Sequence, residues 1–293
     1  MSYVILDLEW NTAYSKTAHR FVNEIIEFGA VKTDDDFNEI ASFERLITPT
    51  VGRKKLTGRV KELTRLTNEQ LAEGGEDFAT VAKDFAEFLG DSVMMSWGTS
   101  DLHALIDNYL YYDNSRTIPF LKRYCDLQEY CERAIGEYDE GNQIGLGKFA
   151  EKIGISFSEE EQHRAAADAF LSLKCLRAVS DKLPLDDYVL QADCGEFYDR
   201  LLFKNYYITD ITAPEVDREQ MKFSCDRCGA QTKRLKKWKL RGKSFSADFG
   251  CKSCGRTFSG RVSFKQRYDG IKVTKRIVEK VQKAEKTEKQ TDD

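Results

Sequence analysis

Three short apolar runs occupy the first fifty residues. Residues 3–8 (YVILDL), 24–33 (EIIEFGAVKT) and 37–49 (FNEIASFERLITP) are rich in β-branched and aromatic side chains, which predicts three strands. Turn-like segments such as residues 33–36 join them at short range. Because parallel strands need long crossover connections, this spacing favours an antiparallel meander over βαβ units.

Helical spacing begins after this meander. Residues 68–89 carry apolar side chains at helical intervals, and Gly90 ends the predicted helix. A buried strand is predicted at 91–98, a strand-to-helix passage at 122–136, and further amphipathic helices at 101–114, 145–155 and 163–179. The order βββαβαβαα indicates an α/β fold in which helices flank a mixed sheet.

The remainder of the chain divides into three parts. Residues 181–221 contain one more predicted helix and a short strand, which we interpret as a connector packed on the first domain, residues 1–180. A cysteine-bearing module follows at 222–268. Residues 269–293 are highly charged with little apolar periodicity, which predicts a frayed or disordered tail.

Charge is distributed unevenly along the 293 residues. The net charge is −4, but residues 222–293 hold 21 Lys and Arg against 8 Asp and Glu, a net of +13, which leaves −17 for residues 1–221. A basic end on an acidic body favours a polyanion-binding appendage, since Lys and Arg gain affinity by releasing counterions from a phosphate backbone. A solvated lysine-rich tail is the alternative.

The chain lacks the patterns of exported and membrane proteins. Its start, MSYVILDLEW, has no positively charged leader, and no stretch approaches the roughly 20 apolar residues needed to span a bilayer. We therefore expect a cytoplasmic protein without a membrane partner. In that reducing compartment, eight cysteines favour metal binding over a disulfide framework.

Three acidic segments carry candidate chemistry. Asp7 and Glu9 lie two apart in a predicted strand, so both side chains project from one face, where burial without a cation would be costly. Asp101 follows an apolar strand in SWGTSD, and Asp168 lies five residues after His163 in QHRAAADA. Each segment also has a structural interpretation: a solvated strand end, a helix N-cap and a surface site, respectively.

Together these segments resemble the three sequence blocks of the DEDDh exonucleases, members of the RNase-T-like (ribonuclease H-like) superfamily. Asp-x-Glu in a leading strand matches ILDLEW, an Asp after a Trp-Gly-bearing strand matches SWGTSD, and His-x-x-x-x-Asp matches HRAAAD. The segments EIIEFGAV and KLTGRVKELTRLTNEQL are similar to the branch of silencing-associated RNA exonucleases. The resemblance covers residues 1–180, which we therefore interpret as an exonuclease domain with a ribonuclease H-like mixed sheet.

The resemblance implies a 3′–5′ exonuclease that releases 5′-mononucleotides from single-stranded RNA or DNA. In that family, two Mg²⁺ or Mn²⁺ ions assist cleavage, and such hard cations prefer carboxylate oxygens. Asp7, Glu9 and Asp168 would hold one ion, and Asp101 would support the second, with Asp7 as the bridge. His163 would be the general base, because an imidazole titrates near neutral pH.

Two candidate substrate contacts follow Glu9. Many family members have a small hydroxyl residue directly after the Glu, where this chain has Trp10 and then Asn11. Trp10 could stack on a base, and packing in the protein is the alternative.

Two cysteine pairs predict a second metal site. Cys225 and Cys228 lie in CDRCG, and Cys251 and Cys254 lie in CKSCG. Four thiolates at this spacing bind Zn²⁺ tetrahedrally, and the glycine lets each knuckle turn back. We predict one structural zinc ion in a small zinc ribbon that could not bury enough core without it. The remaining cysteines, expected to be core thiols, are Cys125, Cys131, Cys175 and Cys194.

Basic and aromatic residues alternate around the second cysteine pair. The segments KRLKKWKLRGKSF and GRVSFKQRY suit single-stranded nucleic acid, with Trp238 a candidate base contact, although zinc ribbons also bind proteins. Two alternatives to an independent exonuclease stay open. One is a nucleic-acid-binding protein whose nuclease fold is an inactive scaffold, and the other is a proofreading or tRNA-trimming factor that acts only inside a complex.

Overall fold

The computed structural model describes residues 1–139, 141–157 and 163–279. The chain forms two compact units, residues 1–201 and 202–293. The predicted connector is divided between them, because residues 190–191 pair with a strand of the first unit and residues 206–207 with a strand of the second. Among the described residues, no helix is both long and apolar enough to cross a membrane.

A seven-stranded mixed sheet forms the centre of the first unit. Its strands are β1 (Tyr3–Ser15), β2 (Arg20–Thr33), β3 (Glu39–Ile47), β4 (Gly75–Glu76), β5 (Val93–Ser96), β6 (Arg123–Asp126) and β7 (Leu190–Gln191). Their order is β4-β3-β2-β1-β5-β6-β7. The first three strands form the predicted antiparallel meander, while β5 runs parallel to β1 and β6 parallel to β5. The predicted mixed sheet is therefore confirmed.

Eight α-helices lie along the described chain. They are α1 (Gly58–Thr64), α2 (Asn68–Gly74), α3 (Phe78–Leu89), α4 (Ser100–Tyr112), α5 (Leu127–Ala134), α6 (Leu146–Lys152), α7 (Ala165–Val179) and α8 (Gly195–Leu202). Short 3-10 turns occur at Leu185–Tyr188 and Glu219–Met221.

The prediction of a single helix at residues 68–89 is wrong, because residues 75–77 are not helical. Two helices, α2 and α3, are separated by β4, which pairs with β3. Each has its own N-cap: Thr67 accepts a hydrogen bond from Gln70 N at 3.1 Å, and Asp77 accepts one from Thr80 N at 3.0 Å. The second cap starts a new helix where the Gly-Gly pair ends the first, because glycine is a poor helix former.

The side chains of Tyr3 and Ile5 mark the sheet face that packs against helices α5, α6 and α7. Both are buried in one cluster with residues of those helices, among them Phe149 and Leu176. Side chains alternate along a strand, so Asp7 and Glu9 continue the same face beyond this apolar cluster.

Three of the four remaining cysteines confirm the prediction of core thiols. Cys125, Cys131 and Cys175 are buried in this cluster. The prediction is wrong for Cys194, which is exposed. It lies in the turn before α8, where its thiol donates to the Gln191 carbonyl at 3.7 Å.

The second unit is an antiparallel sheet of six strands. They are β8 (Tyr206–Tyr207), β9 (Lys233–Arg234), β10 (Lys239–Arg241), β11 (Ser244–Gly250), β12 (Thr257–Arg267) and β13 (Gly270–Val278). Strands β10 to β13 are adjacent in that order, β8 adds to β12, and β9 adds to β11. Two small apolar clusters, one around Phe264 and one around Phe258, form its core.

The predicted disordered tail does not begin at residue 269. Residues 270–278 form β13, which pairs with β12 over its whole length. Val273 and Ile277 alternate with exposed cations and pack against the two core clusters, an alternation that the charge of the segment concealed. Residues 280–293 lie outside the described part of the chain.

Candidate active site and cysteine cluster

Two carboxylates of β1 begin the candidate active site. Strand β1 pairs with β5 only as far as Ile5, so Asp7 and Glu9 lie beyond the end of the parallel pairing. A β-bulge between Glu9 and Trp10 then shifts the register against β2. Because a bulge increases strand twist, it changes the direction of the side chains that follow.

Gly29 lets helix α7 approach the sheet closely. It lies opposite Asp7 in the β1–β2 ladder. A Cβ at this position would lie 2.0 Å from Ala166 N and 2.1 Å from the carbonyl carbon of Ala165. Only glycine therefore admits the first turn of α7 here, and that turn brings Asp168 to the strand that carries Asp7.

A buried ion pair outside the predicted set fixes the start of α7. Glu27 of β2 is fully buried and accepts hydrogen bonds from Arg164 Nε at 2.9 Å and Nη2 at 2.7 Å. Its other oxygen accepts one from Ala165 N at 3.4 Å, and Arg164 also reaches Glu44 at 2.9 Å. The sequence patterns did not predict this pair, although the glutamate inside the apolar run EIIEFGAV is a signal for it, since a buried carboxylate needs a partner.

Asp101 reaches the site from the first turn of α4. Its carboxylate is buried, and Oδ1 accepts a hydrogen bond from Leu8 N at 2.9 Å. The N-cap position of α4 belongs to Thr99, so the interpretation of Asp101 as a helix cap is wrong. The bond to β1 instead ties the acid to the strand that carries Asp7 and Glu9.

His163 lies in the turn before α7. Its φ is +65°, a left-handed conformation that histidine adopts more readily than most residues. Its backbone N–H donates to Asp168 Oδ2 at 3.1 Å, which closes the turn between the two residues. Ligand atoms of Glu9, His163 and Asp168 lie within 4.8 Å of one another, so the exposed imidazole is held beside the acids.

Burial and neighbouring carboxylates raise the pKa of all four acids. Burial is the largest cause in each: the pKa rises well above its ordinary value for Asp7, to about 8 for Glu9 and to about 7 for Asp101, and it also rises for Asp168. Mutual repulsion adds to burial, most of all at Asp7. A cation at this point would relieve both effects, because its charge offsets desolvation and repulsion together.

All five predicted residues line one open cleft of about 570 Å³. Trp10 and Trp97 provide aromatic walls, and Lys148 of α6 provides a cation. The ring nitrogen of Trp97 donates to the Ile144 carbonyl at 3.1 Å, which holds that wall in place. The cleft therefore combines acids with surfaces that suit bases and phosphates.

Two predicted substrate contacts, Asn11 and Trp238, have structural roles. Asn11 is 1% exposed; its amide donates to the Lys55 carbonyl at 3.3 Å and accepts from Thr57 N at 3.0 Å. Trp238 packs against Phe223 and Phe249, with ring centroids 6.4 and 5.6 Å away. The Asn11 amide, buried with both groups bonded, has little left to offer a ligand, whereas the half-buried ring of Trp238 stays a predicted base contact.

The four predicted zinc ligands converge in the second unit. The sulfurs of Cys225 and Cys254 are 3.6 Å apart, those of Cys228 and Cys251 are 3.5 Å apart, and all four lie within 4.8 Å. Zn–S bonds of about 2.3 Å in a tetrahedron place sulfurs roughly 3.8 Å apart, so the cluster fits a small zinc module.

The two halves of this cluster have the same backbone turn. Gly229 and Gly255 have φ of +74° and +71°, and their N–H groups donate to the carbonyls of Cys225 and Cys251 at 2.9 and 3.0 Å. Glycine adopts this left-handed conformation without steric cost. The pKa of the Cys251 thiol is lowered to about 7, mainly because the backbone amide of Cys254 donates a hydrogen bond to it.

Comparison with known proteins agrees with this geometry. The model of the RNase_T exonuclease family matches residues 4–176, more than half of the chain, and the protein belongs to that family. The match lies within the first unit, which is accordingly an exonuclease domain with a ribonuclease H-like fold. A search of curated protein sequences returns no significant match.

Three solved structures show the same fold. A full-length 3′-exonuclease has a TM-score of 0.51 and 17% identity, over 61% of this chain and 60% of that chain. The nuclease domain of 3′hExo, a DEDDh family member bound to rAMP, has a TM-score of 0.51 and 17% identity, over 61% and 92%. A 3′-exonuclease that recognises the histone mRNA stem-loop has a TM-score of 0.53 and 16% identity, over 66% and 71%.

Proposed function

We propose that this protein is a 3′–5′ exonuclease that uses divalent metal ions to release 5′-mononucleotides from single-stranded RNA or DNA. The observation that carries the proposal is the convergence of Asp7, Glu9, Asp101 and Asp168, from three distant chain segments, with His163 in one cleft. The 3′–5′ polarity rests on the family and on the names of the structurally similar 3′-exonucleases.

The donor set fits hard divalent cations. Asp7, Glu9 and Asp168 would hold one Mg²⁺ or Mn²⁺, and Asp7 with Asp101 would hold the second. Their raised pKa values indicate uncompensated charge that a cation would stabilise. When bound, the ions supply charge stabilisation for attacking and leaving oxygens.

The residues of the cleft divide the remaining tasks among them. His163 takes the proton of the attacking water, whose oxygen bonds to the phosphorus. The bond from phosphorus to the 3′ oxygen of the preceding nucleotide breaks, and that oxygen takes a proton from solvent water, which leaves a 5′-mononucleotide and a shortened strand with a 3′ hydroxyl. Trp10 and Trp97 stack against the terminal bases, and Lys148 attracts the phosphates.

The second unit would hold the single strand. Zinc in the four-cysteine cluster would stabilise its fold, since its apolar clusters are small. Lys243 and Lys265 lie over the ring of Tyr207, at 5.1 and 5.9 Å from its centroid, and the preceding residue, Tyr206, is exposed. Cations around aromatic rings suit the phosphates and bases of a single strand. We also propose that the protein acts in the cytoplasm.

The test uses 3′-labelled and 5′-labelled RNA and DNA oligonucleotides with Mn²⁺, then with EDTA. Stepwise shortening of the 5′-labelled strand and immediate release of the 3′ label as a mononucleotide would support the proposal. Binding without cleavage by the isolated chain would contradict it and favour the inactive scaffold.

A further inference from the structure

A second cavity lies beside the catalytic cleft in the first unit. It measures about 650 Å³ and lies between residues 11–17 of the β1–β2 hairpin and residues 50–57 of the loop after β3. We call it the hairpin pocket. The two cavities are neighbours, because Trp10 lines the cleft and the next residue, Asn11, lines the pocket.

The charge of the hairpin pocket is opposite to that of the unit that contains it. Within the described residues its lining has three cations, Lys16, Arg53 and Lys55, and no carboxylate. None of these cations forms an ion pair with a described residue. Cations that form no ion pair attract anions to a concave surface. Such positive surface is scarce in a unit whose net charge is negative.

The rest of the lining suits a nucleic acid. Tyr14 and Tyr111 contribute rings, and hydroxyl groups come from Thr12, Ser15, Thr17, Thr50 and Thr57. Tyr14 is 47% exposed and lies 5.3 Å from the exposed ring of Phe21 in an edge-to-face pair. Cations for phosphates and rings for bases are the combination that binds single strands.

The bonds that fix the backbone of this pocket use none of its cationic side chains. Glu24 is fully buried and accepts hydrogen bonds from the backbone of Thr50 and Val51 and from the Tyr112 hydroxyl. Asn11 holds the other end of the loop through Lys55 and Thr57. These buried bonds keep the pocket open without using a cation, so its shape is present before a ligand arrives.

We propose that the hairpin pocket binds phosphates of the substrate strand upstream of its 3′ end. The proposal rests on the proposed exonuclease function. From Trp10 to Lys16 the hairpin extends roughly 20 Å at about 3.4 Å per residue. A strand with its 3′ end beside Asp7 could therefore pass along β1 and place preceding phosphates beside Arg53 and Lys55.

The first test measures binding as a function of strand length. Fluorescently labelled strands of two, four, eight and sixteen nucleotides are titrated by anisotropy into the Asp7→Asn protein, with and without Arg53→Gln and Lys55→Gln. We expect the two substitutions to weaken binding of the longer strands about tenfold at low salt, and to reduce the slope of log affinity against log salt by about 1.4. Binding of the dinucleotide should not change.

Lys174→Gln with Lys182→Gln is the matched control, because it removes the same charge from exposed positions outside both cavities. An equal effect of this control would mean that only net charge matters and would overturn the proposal. An equal loss for the dinucleotide would indicate a site for a free nucleotide phosphate and would overturn it as well. Unchanged affinity for long strands would do the same.

A second measurement separates this inference from the proposed function. Hydrolysis of the p-nitrophenyl ester of thymidine 5′-monophosphate reports the catalytic cleft, since this substrate has no upstream phosphates. The ratio of 16-mer cleavage to ester hydrolysis should fall about tenfold in the Arg53→Gln, Lys55→Gln protein. If the native protein cleaves neither substrate, the proposed function fails; if it cleaves both and the ratio stays constant, only the hairpin pocket assignment fails.

Discussion

The two units of the chain hold their metal-ligating residues in opposite ways. In the first unit, the acids stand on a sheet whose core includes one cluster of eighteen buried residues. In the second, the cysteines join strands whose apolar clusters hold six and four. A large core forms without a metal, whereas a small one needs an additional cross-link. We therefore expect metal to serve chemistry in the first unit and folding in the second.

Without metal, the residues of the two sites also differ in how they affect the stability of the unit that holds them. The acids of the first unit repel one another, so the fold tolerates them at a cost that a cation would remove. The cysteines of the second unit lie on two glycine turns of the same form, which orient their sulfurs toward one point. Removing a ligand should thus leave the first unit folded and unfold the second.

The largest expected effect is on catalysis in the first unit. Asp7→Asn should lower the cleavage rate at least about a thousandfold, because it removes a charge that both metal ions would share. The measurement is Mn²⁺-dependent mononucleotide release, with Asp36→Asn as the exposed control. Full activity in Asp7→Asn would contradict the assignment of the whole acidic set.

The next effect concerns zinc in the second unit. Cys251→Ser should reduce bound zinc from about one ion per chain to almost none and abolish slow amide exchange in residues 202–279. Protection in residues 1–201 should persist. Elemental analysis and hydrogen exchange measure the two, and Cys194→Ser, an exposed cysteine outside the cluster, is the control. Retained protection in the second unit without zinc would refute the difference between the units.

A third prediction concerns pH in the absence of divalent metal. The folded pKa values of Asp7, Glu9 and Asp101 lie above their unfolded values, so the folded protein binds more protons and loses stability as pH rises from about 4 to about 8. The melting temperature of the first unit should fall by about 10 °C between pH 5 and 8. Mn²⁺ should remove most of this fall, and Asp7→Asn part of it. A melting temperature that rises with pH would show that the cluster is not under electrostatic strain.

The smallest effect is expected at the ion pair beneath α7. Arg164→Gln leaves Glu27 buried without its cation, although solvent around Arg164 reduces the cost, and we expect a loss of about 2 kcal/mol in the free energy of unfolding. The double variant with Glu27→Gln should recover part of it. Urea unfolding of the native protein, of Arg164→Gln, of Glu27→Gln and of the double variant gives the coupling energy of the pair. Additive effects would mean that the pair does not position the start of α7.

Much of the fold follows from local patterns in the sequence. The meander at residues 3–49 and the helix at 163–179 were predicted from apolar spacing, since burial imposes a period of two or 3.6 on each element. The common face of Asp7 and Glu9 and the two cysteine turns are equally local. These features depend on residues within a few positions of one another.

Other features depended on contacts that no local pattern contains. The highly charged segment 270–278 is a strand because it pairs with the edge of β12. Asn11 lost its predicted role because a loop more than forty residues away uses its amide. The tertiary structure decided both, since a hydrogen-bonding group responds to whichever partner the fold brings near.

The amino-acid sequence by itself determined which side chains could hold metal ions and on which elements they lie. Only the tertiary structure decided how those elements meet: Gly29 admits the backbone of α7, Glu27 binds Arg164 across 137 residues, and Asp101 bonds β1 across 93. Spacing along a chain fixes direction within one helix or strand. The approach of two backbones depends on packing between distant segments, which is a property of the folded molecule.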